Sequence, residues 1–212
     1  MRFLKTFLIF IIVFSIGCTT TKAKKENDSN YKVEPIILYS TNDGINVGIN
    51  RDDLHFIFKL KTKYFKWKEL NPTYIFQIDE DTIIQVLTIK FRKNENATNN
   101  INEIEVAKHH MKSEIDYFEK ELGIKIKSKN EVIQLKEQKA LYYKVEIPKE
   151  RGGAHSAMFL VKKNSFLINL CIPIRDKDEK IIKQLLVDTA NTIEVLNTPI
   201  TTKFMFDYSS KR

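Results

Sequence analysis

Glycine is scarce in this chain, with six residues in 212. The sequence contains no Gly-x-Gly-x-x-Gly dinucleotide fingerprint, no phosphate-binding P-loop and no Gly-x-Ser-x-Gly nucleophile elbow. It also has no His-Glu-x-x-His zinc motif, although it has four histidines. We therefore expect a protein that is not an enzyme, with no catalytic residue, no cofactor and no metal site.

Cysteine is rarer still, since Cys18 and Cys171 are the two in the sequence. Cys171 lies in the apolar run 166–172, where a free thiol is expected to be buried and to pack as a small hydrophobic group. If Cys18 is modified, no intramolecular disulfide can form. Stability must then come from a packed hydrophobic core.

Arginine is also sparse, and the arginines lie far apart along the chain. The formal net charge is +8, and most of the 35 basic residues are scattered lysines. A nucleic-acid-binding surface needs clustered Arg and Lys, whereas scattered lysines give solubility and weak attraction to anionic surfaces. Nucleic acid is therefore not expected as a partner.

The N-terminal residues have the parts of a secretory signal peptide. A basic segment (residues 1–5) precedes an apolar core (residues 7–14) and the small residue Gly17, directly before Cys18. A cysteine at this place resembles the lipobox of bacterial lipoproteins, with Ser15 where Leu is usual. The resemblance implies cleavage after Gly17 and a membrane anchor of palmitate-type lipid on Cys18. The alternatives are an ordinary signal peptide and an uncleaved anchor, for which the apolar core is short.

The chain then divides into three segments. Residues 1–17 are the predicted signal peptide, and residues 18–31 are a lipidated N-terminus and flexible tether with a reach of roughly 20 Å. Residues 32–208 are expected to form a single domain. Thr19 follows Cys18, at a position where Asp would favour retention in the inner membrane. The lipobox resemblance therefore places the protein in the bacterial cell envelope, with the outer membrane favoured.

The predicted domain combines strand and helix patterns. Apolar residues recur every three or four positions from Ile104 to Leu122, which predicts a helix that Gly123 ends. A second helix is predicted from Asp176 or Asp178 to Leu196, and the tail 204–206 is expected to add a strand or to pack against an edge. Strands are predicted at 35–39, 54–60, 74–78, 83–91, 132–135, 141–147, 157–161 and 166–172. The fold class is therefore α+β, with an antiparallel β-sheet flanked by two long helices.

This order of elements resembles the PsbP-like family, which is named for an extrinsic subunit of photosystem II. The resemblance covers most of residues 52–197. It rests on the helices 103–122 and 180–196 and on the strands within 131–145 and 158–172. It implies a PsbP-like α/β/α sandwich and a binding or assembly role, since no catalytic residue is common to the family.

Residues 59–68 are the segment in which a binding surface is predicted. Lysines there alternate with aromatic residues, including the only Trp of the chain. Such a segment suits an anionic membrane surface, an acidic partner or a single strand of nucleic acid. The alternative is a strand end and turn whose lysines lie in solvent while Phe65 and Trp67 enter the core. The candidate residues are Lys59, Lys61, Lys63, Tyr64, Lys66, Trp67 and Lys68.

Two other polar groups are expected to be structural. The pairs Glu105–His109 and His110–Glu114 are each four residues apart on the first helix and could supply half a metal site. We expect both pairs to be solvent-exposed neighbours on the helix surface. The acidic run 79–81 is expected to be a charged hairpin turn rather than a cation site.

These observations lead to one main hypothesis and one alternative. The main hypothesis is a non-catalytic, lipid-anchored cell-envelope protein whose domain binds or stabilises a protein partner in the envelope. The alternative is a carrier that holds a small or lipidic ligand in an apolar groove between sheet and helix.

Overall fold

The computed structural model describes residues 34–62, 64–70, 73–91, 102–148, 153–162, 166–174 and 177–210. The predicted signal peptide, Cys18 and the tether lie outside the described residues, and so does Lys63. No helix within the described ranges is both long enough and apolar enough to cross a membrane.

The described residues form eleven strands in two antiparallel sheets, with three helices. The strands are β1 (Ile36–Thr41), β2 (Gly44–Arg51), β3 (Leu54–Leu60), β4 (Lys66–Leu70), β5 (Thr73–Gln77), β6 (Ile83–Lys90), β7 (Lys127–Gln134), β8 (Lys139–Glu146), β9 (Ala154–Lys162), β10 (Phe166–Ile174) and β11 (Glu194–Leu196). The small sheet has the order β1-β2-β3-β11 and the large sheet the order β4-β5-β6-β10-β9-β8-β7. The helices are α1 (Glu103–Leu122), α2 (Glu179–Ala190) and α3 (Thr202–Ser210).

Three clusters of buried apolar side chains hold these elements together. The main core joins the inner faces of the two sheets, where the Phe58 and Phe76 rings meet edge to face with centroids 5.7 Å apart. α2 contributes Ile182 and Leu186 to the same core. α1 packs on β8 and β9 across the other face of the large sheet, and α3 covers the outer face of the small sheet.

The expectation of one antiparallel sheet flanked by two long helices is wrong. Two sheets are present, and the helices of the described residues have 20, 12 and 9 residues. The second predicted helix ends at Ala190 rather than at Leu196, because Val195 joins β11 and pairs with Phe56 of β3. The apolar spacing that predicted a longer helix continues through Ile193, but that residue enters the core from the connection to β11.

The C-terminal tail is also different from the expectation. It forms α3, and Met205 lies fully buried against β1 and β2. Gly48 of β2 allows this close approach, since a Cβ atom at Gly48 would lie 2.6 Å from the Cε of Met205. Asn50 of β2 binds both the N–H and the C=O of Ile200, at 2.8 and 2.9 Å, and so fixes the segment that leads into α3.

The first helix and most of the predicted strands are confirmed. Asn102 caps α1 by accepting the N–H of Ile104, and Gly123 ends the helix in the left-handed conformation with φ of 64°. Asp178 caps α2 by accepting the N–H of Lys180. β2 and β4 were not predicted, because β2 is interrupted by Gly and Asn and β4 is a short polar strand.

Candidate binding surface

β4 is the exposed edge strand of the large sheet, and it pairs with β5 alone among the described elements. Trp67 lies opposite Phe76, which belongs to the main core. Successive side chains of a strand point to opposite faces. Trp67 therefore lies on the face toward the main core, whereas Lys66 and Lys68 lie on the other face of the sheet.

The chain segment before β4 is anchored by Phe65. Its ring stacks on the Phe76 ring with centroids 5.8 Å apart, and the Thr62 hydroxyl accepts the N–H of Tyr64 at 3.0 Å. Tyr64 and Trp67 remain 39% and 42% exposed. The alternative interpretation of this segment placed both Phe65 and Trp67 in the core. It is therefore correct for Phe65 and wrong for Trp67.

The two lysines of β4 are exposed and have no carboxylate partner in the part of the chain that the structure describes. The Nζ of Lys66 lies 5.5 Å from the centroid of the Tyr64 ring. A hydrogen bond with Tyr64 raises the pKa of Lys66, so this side chain is positively charged at neutral pH. An anionic group could approach both ammonium groups without displacing an internal ion pair.

The structure separates the other lysines of the predicted segment from these residues. Lys59 forms an ion pair with Asp43, and the Nζ of Lys61 lies 3.6 Å from a carboxylate oxygen of Asp188. Lys63 lies outside the described residues. The side chains that the structure brings together at the edge of the sheet, called the β4 patch below, are Tyr64, Lys66, Trp67 and Lys68.

The opposite edge of the large sheet is β7, which provides a comparison. Lys127 and Lys129 are exposed and lie two residues apart, as Lys66 and Lys68 do. No aromatic residue occurs between Lys127 and Gln134, and the exposed apolar side chain of this edge is Val132. The two edges therefore carry similar charge, and the exposed aromatic rings distinguish β4.

His110, Glu114 and Tyr143 form a partly buried polar cluster beneath α1. The Tyr143 hydroxyl donates to Glu114 at 2.7 Å, and the Nε2 of His110 lies 3.2 Å from a Glu114 oxygen. Burial, together with the nearby Glu114 charge, raises the pKa of Tyr143 well above its usual value. The expected solvent exposure of the His110–Glu114 pair is wrong, because this pair faces the large sheet and His110 packs on Phe159.

Cys171 and Asn169 lie on the same face of the large sheet as this cluster. Cys171 is buried and free, and burial raises the pKa of its thiol, so the expected packing role is confirmed. Asn169 was missed by the sequence analysis; it is 1% exposed, and its side-chain amide has no hydrogen-bond partner within the described residues. Within the described ranges, no group of three or more His, Cys, Asp or Glu side chains is placed to hold a metal ion.

The acidic run between β5 and β6 is a hairpin turn, as predicted. Asp79 accepts the N–H groups of Asp81 and Thr82 at 2.8 and 2.6 Å, and Lys177 donates to its other oxygen at 2.6 Å. Partial burial alone would raise the pKa of Asp79, but the hydrogen bonds from Lys177, Thr82 and the backbone together lower it to about 2. The Asp79 carboxylate thus stabilises the turn.

Comparisons with known proteins give a distant structural likeness. No protein-family model matches the chain, and no curated protein matches it. Among solved structures, the chain is similar to the solution structure of cyanobacterial PsbP (CyanoP) from Synechocystis sp. PCC 6803, with a TM-score of 0.47 and 13% identity. The match covers 81% of this chain and 98% of that chain.

Proposed function

We propose that this chain is a non-catalytic protein of the bacterial cell envelope, anchored through lipid on Cys18, whose domain binds a protein partner through the β4 patch. The observation that supports the proposal most is the exposed Trp67, which lies on an edge strand between two exposed lysines. Tryptophan is enriched among the residues that dominate binding energy at protein interfaces. Covering this ring with a partner would remove apolar surface from water, which is favourable.

The packing beside α2 favours a binding role over the carrier alternative. A groove for a small or lipidic ligand needs a cavity of several hundred Å³ lined by apolar groups. Ile182 and Leu186 of α2 are instead fully buried in the main core, which also contains Met158 and Leu160 of β9. Side chains of this helix and of the large sheet thus belong to one buried cluster.

The lipid anchor is supported by the sequence around Cys18 and has its own test. Cells that express the full chain would be grown with radioactive palmitate, beside cells that express Cys18→Ser. We expect label on the unsubstituted chain and none on the variant, because Cys18 is the residue that follows the cleavage site. Label on Cys18→Ser, or none on either chain, would contradict the anchor.

The binding role is tested by purifying the full chain from its own membranes in mild detergent. The variant Lys66→Glu/Lys68→Glu changes the β4 patch, and Lys127→Glu/Lys129→Glu makes the same change of charge on β7. Mass spectrometry would identify a stoichiometric protein partner, and the purified pair would then be mixed again. We expect the unsubstituted chain and the β7 variant to bind the partner, and the β4 variant to bind at least about tenfold more weakly, since charge reversal at two contacts costs more than 1.4 kcal/mol.

Two results would contradict the proposal. Equal binding by the β4 and β7 variants would show that the partner contacts another surface. A bound small molecule with no protein partner would support the carrier alternative instead.

A further inference from the structure

One side of the β4 main chain pairs with no other strand of the described residues. We propose that the partner contributes an extended segment that pairs with β4 as an additional strand of the large sheet, with acidic residues opposite Lys66 and Lys68 and an apolar residue opposite Trp67. This inference rests on the proposed function, because it specifies how the β4 patch binds its partner.

The backbone of β4 suits the addition of a further strand. β4 forms five consecutive residue pairs with β5 on one side, and no other strand of the described residues pairs with its second side. An edge strand presents a row of N–H and C=O groups that can pair with another extended chain. Strand addition of this kind derives its affinity from main-chain hydrogen bonds and its specificity from alternate side chains.

The side chains of β4 determine which segment fits. Lys66 and Lys68 lie on one face, and Trp67 and the exposed Glu69 lie on the other. An incoming strand would therefore meet two positive charges on one face, and on the other an exposed ring followed by a carboxylate. Opposite charges directly across a strand pair are favourable, and so is an aromatic ring opposite a β-branched residue. The matching pattern is therefore acidic, apolar, acidic over three successive residues.

This division between two faces also favours a strand over a membrane as the partner. A flat anionic surface would contact one face of the large sheet, either the two lysines or Trp67. An added strand lies in the plane of the sheet and extends side chains to both faces, so it can contact all three residues together.

The β4 strand of a second copy does not match β4 in these two antiparallel registers. Antiparallel pairing of two β4 strands centred on Trp67 places Lys66 of each copy opposite Lys68 of the other. Pairing centred on Lys68 places the two Lys68 side chains opposite each other. Like charges directly opposite are destabilising, and lysines on edge strands commonly prevent such self-association. Lys66 and Lys68 thus favour an acidic segment of a different protein over a second β4 strand.

The other edge of the large sheet lacks the same combination. On β7, Glu131 lies on the same face as Lys127 and Lys129 and forms an ion pair with Lys183. No aromatic residue is available there to contact an apolar side chain of an added strand. β7 therefore serves as the control edge.

The test uses the mature chain and a synthetic heptapeptide, Thr-Val-Glu-Val-Glu-Val-Thr, acetylated and amidated at its ends. Trp67 is the only tryptophan in the chain, so its fluorescence reports directly on the β4 edge. Two further peptides would be N-methylated, each on one of the two alternating sets of residues. One of these sets supplies the N–H groups that face β4, and the other set faces solvent.

Strand addition predicts that the unmodified peptide shifts the Trp67 emission to shorter wavelength and binds with saturation. One N-methylated peptide should bind like the unmodified peptide, and the other should bind at least tenfold more weakly. Lys66→Glu/Lys68→Glu should also weaken binding by about tenfold or more, whereas Lys127→Glu/Lys129→Glu should leave it unchanged.

Other outcomes would overturn the inference and can be told apart from failure of the proposed function. If both N-methylated peptides bind as well as the unmodified one, binding involves side chains alone, and strand addition is wrong even if the β4 variant loses its partner in the membrane purification. If no peptide binds, strand addition by an acidic segment is also wrong. If the β4 variant keeps its partner, the proposed function itself has failed.

Discussion

Asn50 offers a quantitative test of how β2 and α3 are joined. Its side-chain NH₂ donates to the carbonyl oxygens of Glu34 and Ile200 at 2.8 and 2.9 Å, and its Oδ1 accepts the N–H of Ile200 at 2.8 Å. Asn50→Ala removes all three hydrogen bonds and leaves both backbone groups of the buried Ile200 without these partners. Each lost bond costs about 0.5–1.5 kcal/mol, and an unsatisfied buried group costs about 1–3 kcal/mol. We therefore expect a loss of about 3 kcal/mol in the free energy of unfolding.

The measurement is urea-induced unfolding followed by far-ultraviolet circular dichroism, with hydrogen exchange of the α3 amides as a local readout. Asn46→Ala is the matched control on the same face of β2, since the Asn46 side chain makes one hydrogen bond within the described residues, to Ser209 at 2.8 Å. It should cost about 1 kcal/mol. The reasoning would be refuted if Asn50→Ala lost no more stability than Asn46→Ala, or if α3 exchanged at an unchanged rate.

Two further predictions concern acid stability. Burial lowers the pKa of His155 to about 4, below the value of about 6.5 in the unfolded chain, so stability present above pH 6.5 should fall by about 3 kcal/mol as the pH is lowered to 4. His155→Gln should remove this loss of stability. Urea titrations of both proteins at pH 6.5 and at pH 4 would test this, and a wild-type stability that does not change between the two pH values would contradict the prediction. The pKa of Asp79 is lowered to about 2, so its stabilising contribution is present above pH 4 and lost between pH 4 and 2. Because the Asp79 side chain is half exposed, we expect this contribution to be about 1 kcal/mol. An Asp79→Asn variant with unchanged stability at pH 7 would contradict the stabilising role of the Asp79 carboxylate in the turn.

Local sequence patterns predicted the elements whose pattern of apolar residues is complete within one segment of the chain. The alternation in β3 and the apolar stripe of α1 are each complete within one segment, and Gly123 supplies the helix stop. The end of α2 could not be predicted in this way. Ile193 has the spacing of a helical residue, and the pairing of Val195 with β3, 139 residues earlier in the chain, decides that the segment is a strand.

β2 was missed for a similar reason. Its outward residues Asn46, Gly48 and Asn50 are poor strand formers, and they are explained by α3, which packs on them from the far end of the chain. The His110–Glu114 pair was assigned to solvent because its spacing is that of a surface pair. Its contacts with Tyr143 and Phe159 depend on how α1 lies across the large sheet.

The candidate surface was predicted as a segment but not as a geometry. Lysines alternating with aromatic residues marked 59–68, and the structure retains Tyr64, Lys66, Trp67 and Lys68 as an exposed group. The sequence could not show that Lys59 and Lys61 have carboxylate partners from distant segments. Nor could it show that Trp67 and its neighbouring lysines lie on opposite faces of an edge strand.

Photo-crosslinking in living cells would test the central claim most directly. p-Benzoyl-L-phenylalanine would replace Glu69 on β4 in one version of the full chain and Val132 on β7 in another, since both native side chains are exposed and Trp67 is kept. Our account predicts one discrete protein adduct from the Glu69 position after irradiation and none from the Val132 position. The absence of an adduct at Glu69, or the same adduct at both positions, would contradict a partner bound at the β4 patch.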